Sequence, residues 1–314
     1  MCLVFGAFAW DGKQLSQESS ISSLYICTRA DAVWLRHNVA MPSCSRLRYL
    51  ESHPRTASVS WGDREPVGTL VLLHAFPLGA RMWEPQHTLA EQGWRIVMPQ
   101  FRGFDCTKSD VPEAASLEDY ARDVADLLET LAVDRAVVGG LSMGGYVALE
   151  LYRHAPQLFS GLVLADTRAD ADSPEARANR ARMIELAGAR GAVAIADEMV
   201  PKLLGDTTRR SGPAIEDRVR ALILSNHPSA IQAALRSMMA RPDSTPLLSS
   251  IALPTLVLVG EEDALTPPPL SASMAAAIRH AELVHVALAG HLSSLEQPQA
   301  FNAALANFLA RLRS

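Results

Sequence analysis

Fourteen residues, from Ala136 to Leu149, limit what this chain can become more than any other stretch. Ala136-Val137-Val138 is apolar with two β-branched residues, the composition of a strand covered on both faces. Gly140-Leu141-Ser142-Met143-Gly144 fits G-x-S-x-G, and a helical run begins beyond it. A strand, this pattern and a helix in succession predict a sharp turn that lifts a serine hydroxyl above the end of a sheet. Such a turn strains the serine backbone, and glycines two residues to either side keep side chains off the crowded main chain. The Met143 N–H then lies at a helix N-terminus, without an intrahelical partner, and can meet a developing oxyanion. The bare pattern arises by chance in roughly one chain in ten of this size, as a Gly-rich turn with a capping serine. The remaining residues must therefore supply a base, an acid and a second oxyanion donor.

Along the chain, strand-like and helix-like runs alternate. Leu47–Leu50 and Ala57–Trp61 read as short opening strands, Thr69–Leu73 as a central strand, and Arg95–Met98 as the next. A helix is expected over Met82–Gln92, stopped by Gly93. Ser116 opens another, with Asp119 completing a capping pair and an apolar stripe from Leu117 to Leu131. Gly161–Ala165, Pro254–Gly260 and Leu283–Leu288 read as further strands, and Pro298–Leu312 as the last helix. The alternation predicts an α/β fold: a mostly parallel central sheet wrapped by helices on both faces. Two segments depart from it. Residues 1–46 are Ser-rich and irregular and read as an N-terminal extension. Residues 168–247 are rich in Ala, Arg and Met in helical patterns, with breaks expected at Gly188, Gly191, Pro201, Gly212-Pro213 and Pro228. They read as a helical cap inserted into a core of residues 47–167 and 248–314.

Of the 314 residues, 48% are hydrophobic and 20% charged, enough for a sizeable core and contrary to global disorder. A net charge of −5 without a basic run argues against a nucleic-acid surface. The apolar runs are strand-sized, which argues against a membrane span. The four cysteines, Cys2, Cys27, Cys44 and Cys106, show neither C-x-x-C nor zinc spacing, and H-E-x-x-H is absent. They read as free thiols in a reducing compartment, and no metal or cofactor is expected. The apolar start lacks a basic lead and is short for a signal peptide, so a cytoplasmic location is expected.

In parallel α/β sheets the chemistry gathers at the carboxyl ends of the strands. His74, Ser142, Asp166, Asp263 and His291 all follow strands. A serine hydroxyl needs a base to take its proton, and the base needs a partner to fix its tautomer. His291, in Ala289-Gly290-His291 after the last strand, is the best base of the nine histidines. Asp263 is the preferred acid; Glu261 and Glu262 compete locally, and Asp166 is a rival from the neighbouring strand. The second oxyanion donor is expected to be the Phe76 N–H, since Pro77 has none to offer. His74 then braces that loop.

The order Ser142…Asp263…His291, with His74-Ala75-Phe76-Pro77, Arg102-Gly103, Gly140–Gly145, Gly260–Asp263 and Gly290-His291, resembles the α/β-hydrolase fold superfamily over residues 47–314. The resemblance is nearest to its capped esterases and lactonases, such as the 3-oxoadipate enol-lactone hydrolases. It implies a catalytic triad of Ser142, Asp263 and His291, an oxyanion hole of Phe76 and Met143, and no cofactor. Ala75 stands where the family has Gly, and Gln100, Asp105 and Thr107 depart from its D-x-R-G-x-G-x-S loop. The implied activity is hydrolysis of small carboxylic esters or lactones through an acyl-enzyme on Ser142. A cofactor-free perhydrolase or haloperoxidase using the same triad is the alternative, and a non-catalytic ligand receptor on the same fold is a third reading. The expected partner is a small-molecule ester or lactone, with no nucleic acid and no membrane; homo-oligomer formation stays open.

Overall fold

The computed structural model describes residues 24–26, 35–37, 47–53, 65–104 and 116–312. All four cysteines, the expected strand at Ala57–Trp61, and Asp105 and Thr107 lie outside the described residues. Near the start, strands β1 (Leu24–Ile26) and β2 (Leu35–His37) pair antiparallel.

Among the described residues the main sheet has seven strands: β3 (Arg48–Ser52), β4 (Gly68–Leu73), β5 (Trp94–Gln100), β6 (Ala136–Leu141), β7 (Phe159–Ala165), β8 (Thr255–Gly260) and β9 (Ala281–Val286), in the order β3-β5-β4-β6-β7-β8-β9. The β3–β5 pair is antiparallel and every other pair parallel. Every residue of β6 and β8 is buried, so both read as unbroken apolar runs, at about 1.5–3 kcal/mol for each large side chain removed from water.

Right-handed crossovers decide which face each helix covers. From β4 the chain moves to β5 on one side; from β5, β6 and β8 it moves the other way. The 3-10 helix Ala80–Gln92 therefore lies on one face, and α1 (Leu117–Thr130), α2 (Met143–His154) and α8 (Pro268–Ala277) on the other. The final helix α10 (Pro298–Arg311) joins the 3-10 helix. Because β4 and β6 are neighbours whose chains leave to opposite faces, the loops after them part and open a crevice there.

Ser116 caps α1 in a reciprocal capping box with Asp119. The segment expected as a helix over Met82–Gln92 is a 3-10 helix, Ala80–Gln92, with Pro85 inside it, which lacks the N–H that an α-helix needs at that place.

Between β7 and β8 the chain is helical: α3 (Pro174–Leu203), α4 (Asp206–Ser211), α5 (Pro213–Leu224), α6 (Pro228–Met239) and α7 (Thr245–Leu248). Gly191, with φ 72°, kinks α3 as expected, but Gly188 and Pro201 do not interrupt it. Gly188 is instead a contact glycine: a β-carbon there would come within 2.8 Å of Gln232 Nε2 on α6. Among the described residues no helix is long and apolar enough to cross a membrane.

Candidate active site

The turn after β6 places Ser142 at φ 55°, ψ −114°. Positive φ is uncommon for a side-chain-bearing residue, and such strain costs on the order of 1–3 kcal/mol. The surrounding main chain holds it. Ser142 N–H donates to Ala165 O at the end of β7 (3.0 Å), and Ser142 O accepts the Thr167 hydroxyl (2.8 Å) and the Gly145 N–H (2.9 Å). The flanking glycines are required by space. A β-carbon on Gly140 would lie 2.1 Å from Gly144 O, and one on Gly144 would lie 2.1 Å from Leu73 O. The sequence reading ended this strand at Val138; it runs on to Leu141, so the turn begins at the serine itself.

From that turn the Ser142 hydroxyl donates to His291 Nε2 (2.8 Å), and His291 Nδ1–H donates to Asp263 Oδ2 (2.8 Å). Asp263 is buried and fixed by further donors: the Thr266 hydroxyl on Oδ2 (2.5 Å), and the Leu265 (2.8 Å) and Thr266 (2.9 Å) N–H groups on Oδ1. Burial works against ionisation of Asp263, but the His291 charge and these bonds prevail and hold its pKa at about 2. Burial likewise pulls His291 down, but the Asp263 carboxylate, with Asp166 and Glu296 behind it, outweighs burial, and the net shift is upward.

The competing carboxylates go elsewhere. Asp166, at φ 44°, accepts Gly260 N–H (2.8 Å) and the Ser293 hydroxyl. Its complete burial, and then the charge of Asp263, push its pKa up to about 8. Glu262 accepts the Thr207 N–H (2.8 Å) and hydroxyl (2.5 Å). Glu261 is exposed.

After β4, Phe76-Pro77 is a cis peptide. Neither the Phe76 nor the Met143 N–H has a hydrogen-bond partner among the described residues. His74 is wholly buried; Phe101 N–H donates to its Nε2 (3.1 Å) and its Nδ1–H donates to Ala75 O (3.1 Å). Burial lowers its pKa to about 4, so the ring is neutral and joins the loops after β4 and β5. The Ala75 methyl is accommodated in the core, with the Ala75 N–H directed at Met82 Sδ (3.1 Å). Gln100 accepts the Ala80 N–H (2.5 Å) at the start of the 3-10 helix, so the departure from Asp retains an acceptor.

Sequence reasoning missed four residues around this centre: Thr266, Asn226, Glu262 as a tether, and Glu296. Asn226 Nδ2 donates to Pro77 O (2.8 Å) and Leu78 O (2.6 Å), which links the α5–α6 turn to the Phe76 loop. Thr266, three residues from Asp263, had a spacing signal; the ties of the others to the helical segment or the Phe76 loop run across 55 to 149 residues and had none.

Comparison with known proteins identifies the family. The model of the Alpha/beta hydrolase family matches residues 70–304, and the chain belongs to that family. A thermophilic esterase from Thermogutta terrifontis, solved with malate bound, is 35% identical with a TM-score of 0.78, covering 93% of this chain and 100% of that one. The 3-oxoadipate enol-lactonase 1 of Acinetobacter baylyi is 26% identical, covering 82% of this chain and 95% of the relative. BpoC of Mycobacterium tuberculosis, provisionally named a non-heme bromoperoxidase, is 30% identical, covering 74% of this chain and 90% of its own length.

Proposed function

We propose that this protein is a serine hydrolase that cleaves small carboxylic esters or lactones through an acyl-enzyme on Ser142. One observation carries the reading: Ser142 Oγ, His291 and Asp263 form an unbroken relay of 2.8 Å and 2.8 Å at the carboxyl edge of the sheet. His291 Nε2 takes the Ser142 proton as Oγ bonds to the substrate carbonyl carbon. The N–H groups of Phe76 and Met143 receive the oxyanion, each worth roughly 10²–10³ in rate. His291 returns the proton to the departing alkoxide, and the carbon–oxygen bond to it breaks. Water then attacks the acyl-enzyme, His291 removes its proton, and collapse of the second tetrahedral intermediate frees the acid and restores the serine. Asp263 holds the imidazole in the required tautomer and stabilises its cation.

The helical segment between β7 and β8 roofs the pocket as a cap, and its Ala and Met side chains offer an apolar, adaptable wall for the acyl group. Likeness to the esterase and the enol-lactonase supports the ester and lactone class. The test is Ser142→Ala, assayed with p-nitrophenyl acetate and butyrate: a folded variant with almost no turnover is expected, and wild-type turnover in it ends the proposal.

Likeness to BpoC favours a second reading, in which hydrogen peroxide replaces water as the attacking group on the same acyl-enzyme. Peracid formed from acetate and peroxide, faster than ester hydrolysis, selects that reading.

A further inference from the structure

Glu296 is a buried carboxylate that the reaction as described does not use. It lies in the short helix α9 (Ser293–Glu296), five residues after His291. Its Oε1 accepts the N–H groups of Gly290 (3.0 Å) and Leu292 (3.1 Å), one on each side of the histidine. Its Oε2 accepts the N–H of Gly205 (2.8 Å), the N-cap residue just before α4 in the helical segment. An ionised carboxylate accepts on two oxygens and donates nothing, so it can serve three N–H groups at once. A few ångströms away Glu262, next to Asp263, holds Thr207 of the same helix.

Main chain meets main chain at this junction. A β-carbon on Gly290 would lie 2.2 Å from Gly205 N, and one on Gly205 would lie 2.7 Å from Gly290 N and 2.6 Å from Glu262 Oε2. The helical segment thus presses directly on the loop that carries the proposed base, with no side chain between them.

We propose that Glu296 is a positioning residue: it fixes the His291 loop and ties it to Gly205, so that seating of the helical segment and alignment of His291 with Ser142 are set together. The inference rests on the serine-hydrolase reading. Without Glu296 the Gly290 and Leu292 N–H groups lose their acceptor, and the loop is free to rotate the imbedded imidazole away from Ser142. The titratable groups facing His291 are Asp263, Asp166 and Glu296. Removing the Glu296 charge also lowers the His291 pKa, an electrostatic mark read separately from the loss of kcat that positioning predicts.

Glu296→Gln is the first test. The amide keeps one acceptor oxygen but turns a donor toward another donor and carries no charge. With p-nitrophenyl butyrate we expect a folded protein whose kcat is lower by roughly ten- to a hundredfold, with KM changed less, and whose acid limb of kcat/KM moves to lower pH. Gly205→Ala reaches the junction from the other side; its φ of −66° suits alanine, so loss comes from contact with Gly290 and not from backbone strain. Here kcat should fall with the acid limb unmoved. Wild-type kcat in Glu296→Gln, wherever its acid limb lies, overturns the proposal; should that variant not fold, wild-type kcat in Gly205→Ala does so. Ser142→Ala in the same assay separates the two failures. Turnover that persists in it ends the serine reading, whereas a silent Ser142→Ala beside an unaffected Glu296→Gln ends only the positioning role.

Discussion

Asp263 and Asp166 follow neighbouring parallel strands, and both lie buried within the electrostatic reach of His291, yet His291 bonds to Asp263 alone of the two. The difference lies in the loops. Asp263 stands three residues beyond the end of β8, on a turn tied by Thr266, and reaches across to the imidazole. Asp166 directly follows β7 and is consumed by Gly260 N–H and Ser293. Asp263→Asn should therefore lower kcat on p-nitrophenyl butyrate by about 10³–10⁴-fold, since the amide no longer fixes the tautomer. Asp166→Asn should cost less than about tenfold, because its carboxyl is already held protonated near neutral pH. Equal losses in the two variants would contradict this division.

The pH profile carries its own signature. His291 must be neutral to take the serine proton, so activity is lost as pH falls through its folded pKa. That pKa lies above the ordinary imidazole value of about 6.5. The acid limb of kcat/KM should thus have its midpoint above about 6.5. Asp263 remains ionised throughout this range, its pKa being about 2. In Asp263→Asn, burial acts on the imidazole without its largest counter-charge, and the residual acid limb should move to lower pH.

These pairings also mark where sequence alone ran out. The elbow was legible because its chemistry is local: a strand, two glycines that space forbids to carry a β-carbon, and a serine between them. Asp263 and His291 were legible because each follows a buried apolar run, and parallel strands bring such positions to one edge. Asp263 was preferred over Glu262 from sequence, but the physical reason, which way the turn points each of two adjacent carboxylates, is visible only in the structure. The ties of Glu296 to Gly205 and of Asn226 to Pro77 left no trace, because those partners lie 91 and 149 residues away and are main-chain atoms that every sequence possesses. Gly188 and Pro201 misled for the opposite reason: packing against α6 and a late position in α3 overrode their local preference for breaking a helix.

Asp166 should shape stability as well as activity. A carboxyl whose folded pKa is raised from 3.8 to about 8 binds more protons folded than unfolded between those values. Its contribution favours the fold at low pH and is lost progressively as pH rises toward about 8. Asp166→Asn abolishes this dependence while keeping the side-chain shape. Urea unfolding at pH 5 and pH 8 should show the variant gaining on the wild type at the higher pH. A difference that stays constant, or that favours the wild type at pH 8, would show that Asp166 is ionised in the folded protein.

Asn226 lets the helical segment act on the other side of the site. Its side-chain amide is buried and donates to the carbonyls of Pro77 and Leu78, directly after the Phe76 N–H proposed as an oxyanion donor. Truncation to alanine leaves those buried acceptors without their donor, at a cost of about 1–3 kcal/mol in unfolding free energy. It also frees the loop that aims Phe76, and an oxyanion donor acts only when it points where charge develops. Asn226→Ala should therefore lower kcat by roughly tenfold or more, and urea unfolding should show the stability loss. No charge near His291 changes, so the acid limb should stay where it is in the wild type. A variant that loses stability but keeps full kcat would restrict Asn226 to holding the helical segment in place, with no influence on Phe76.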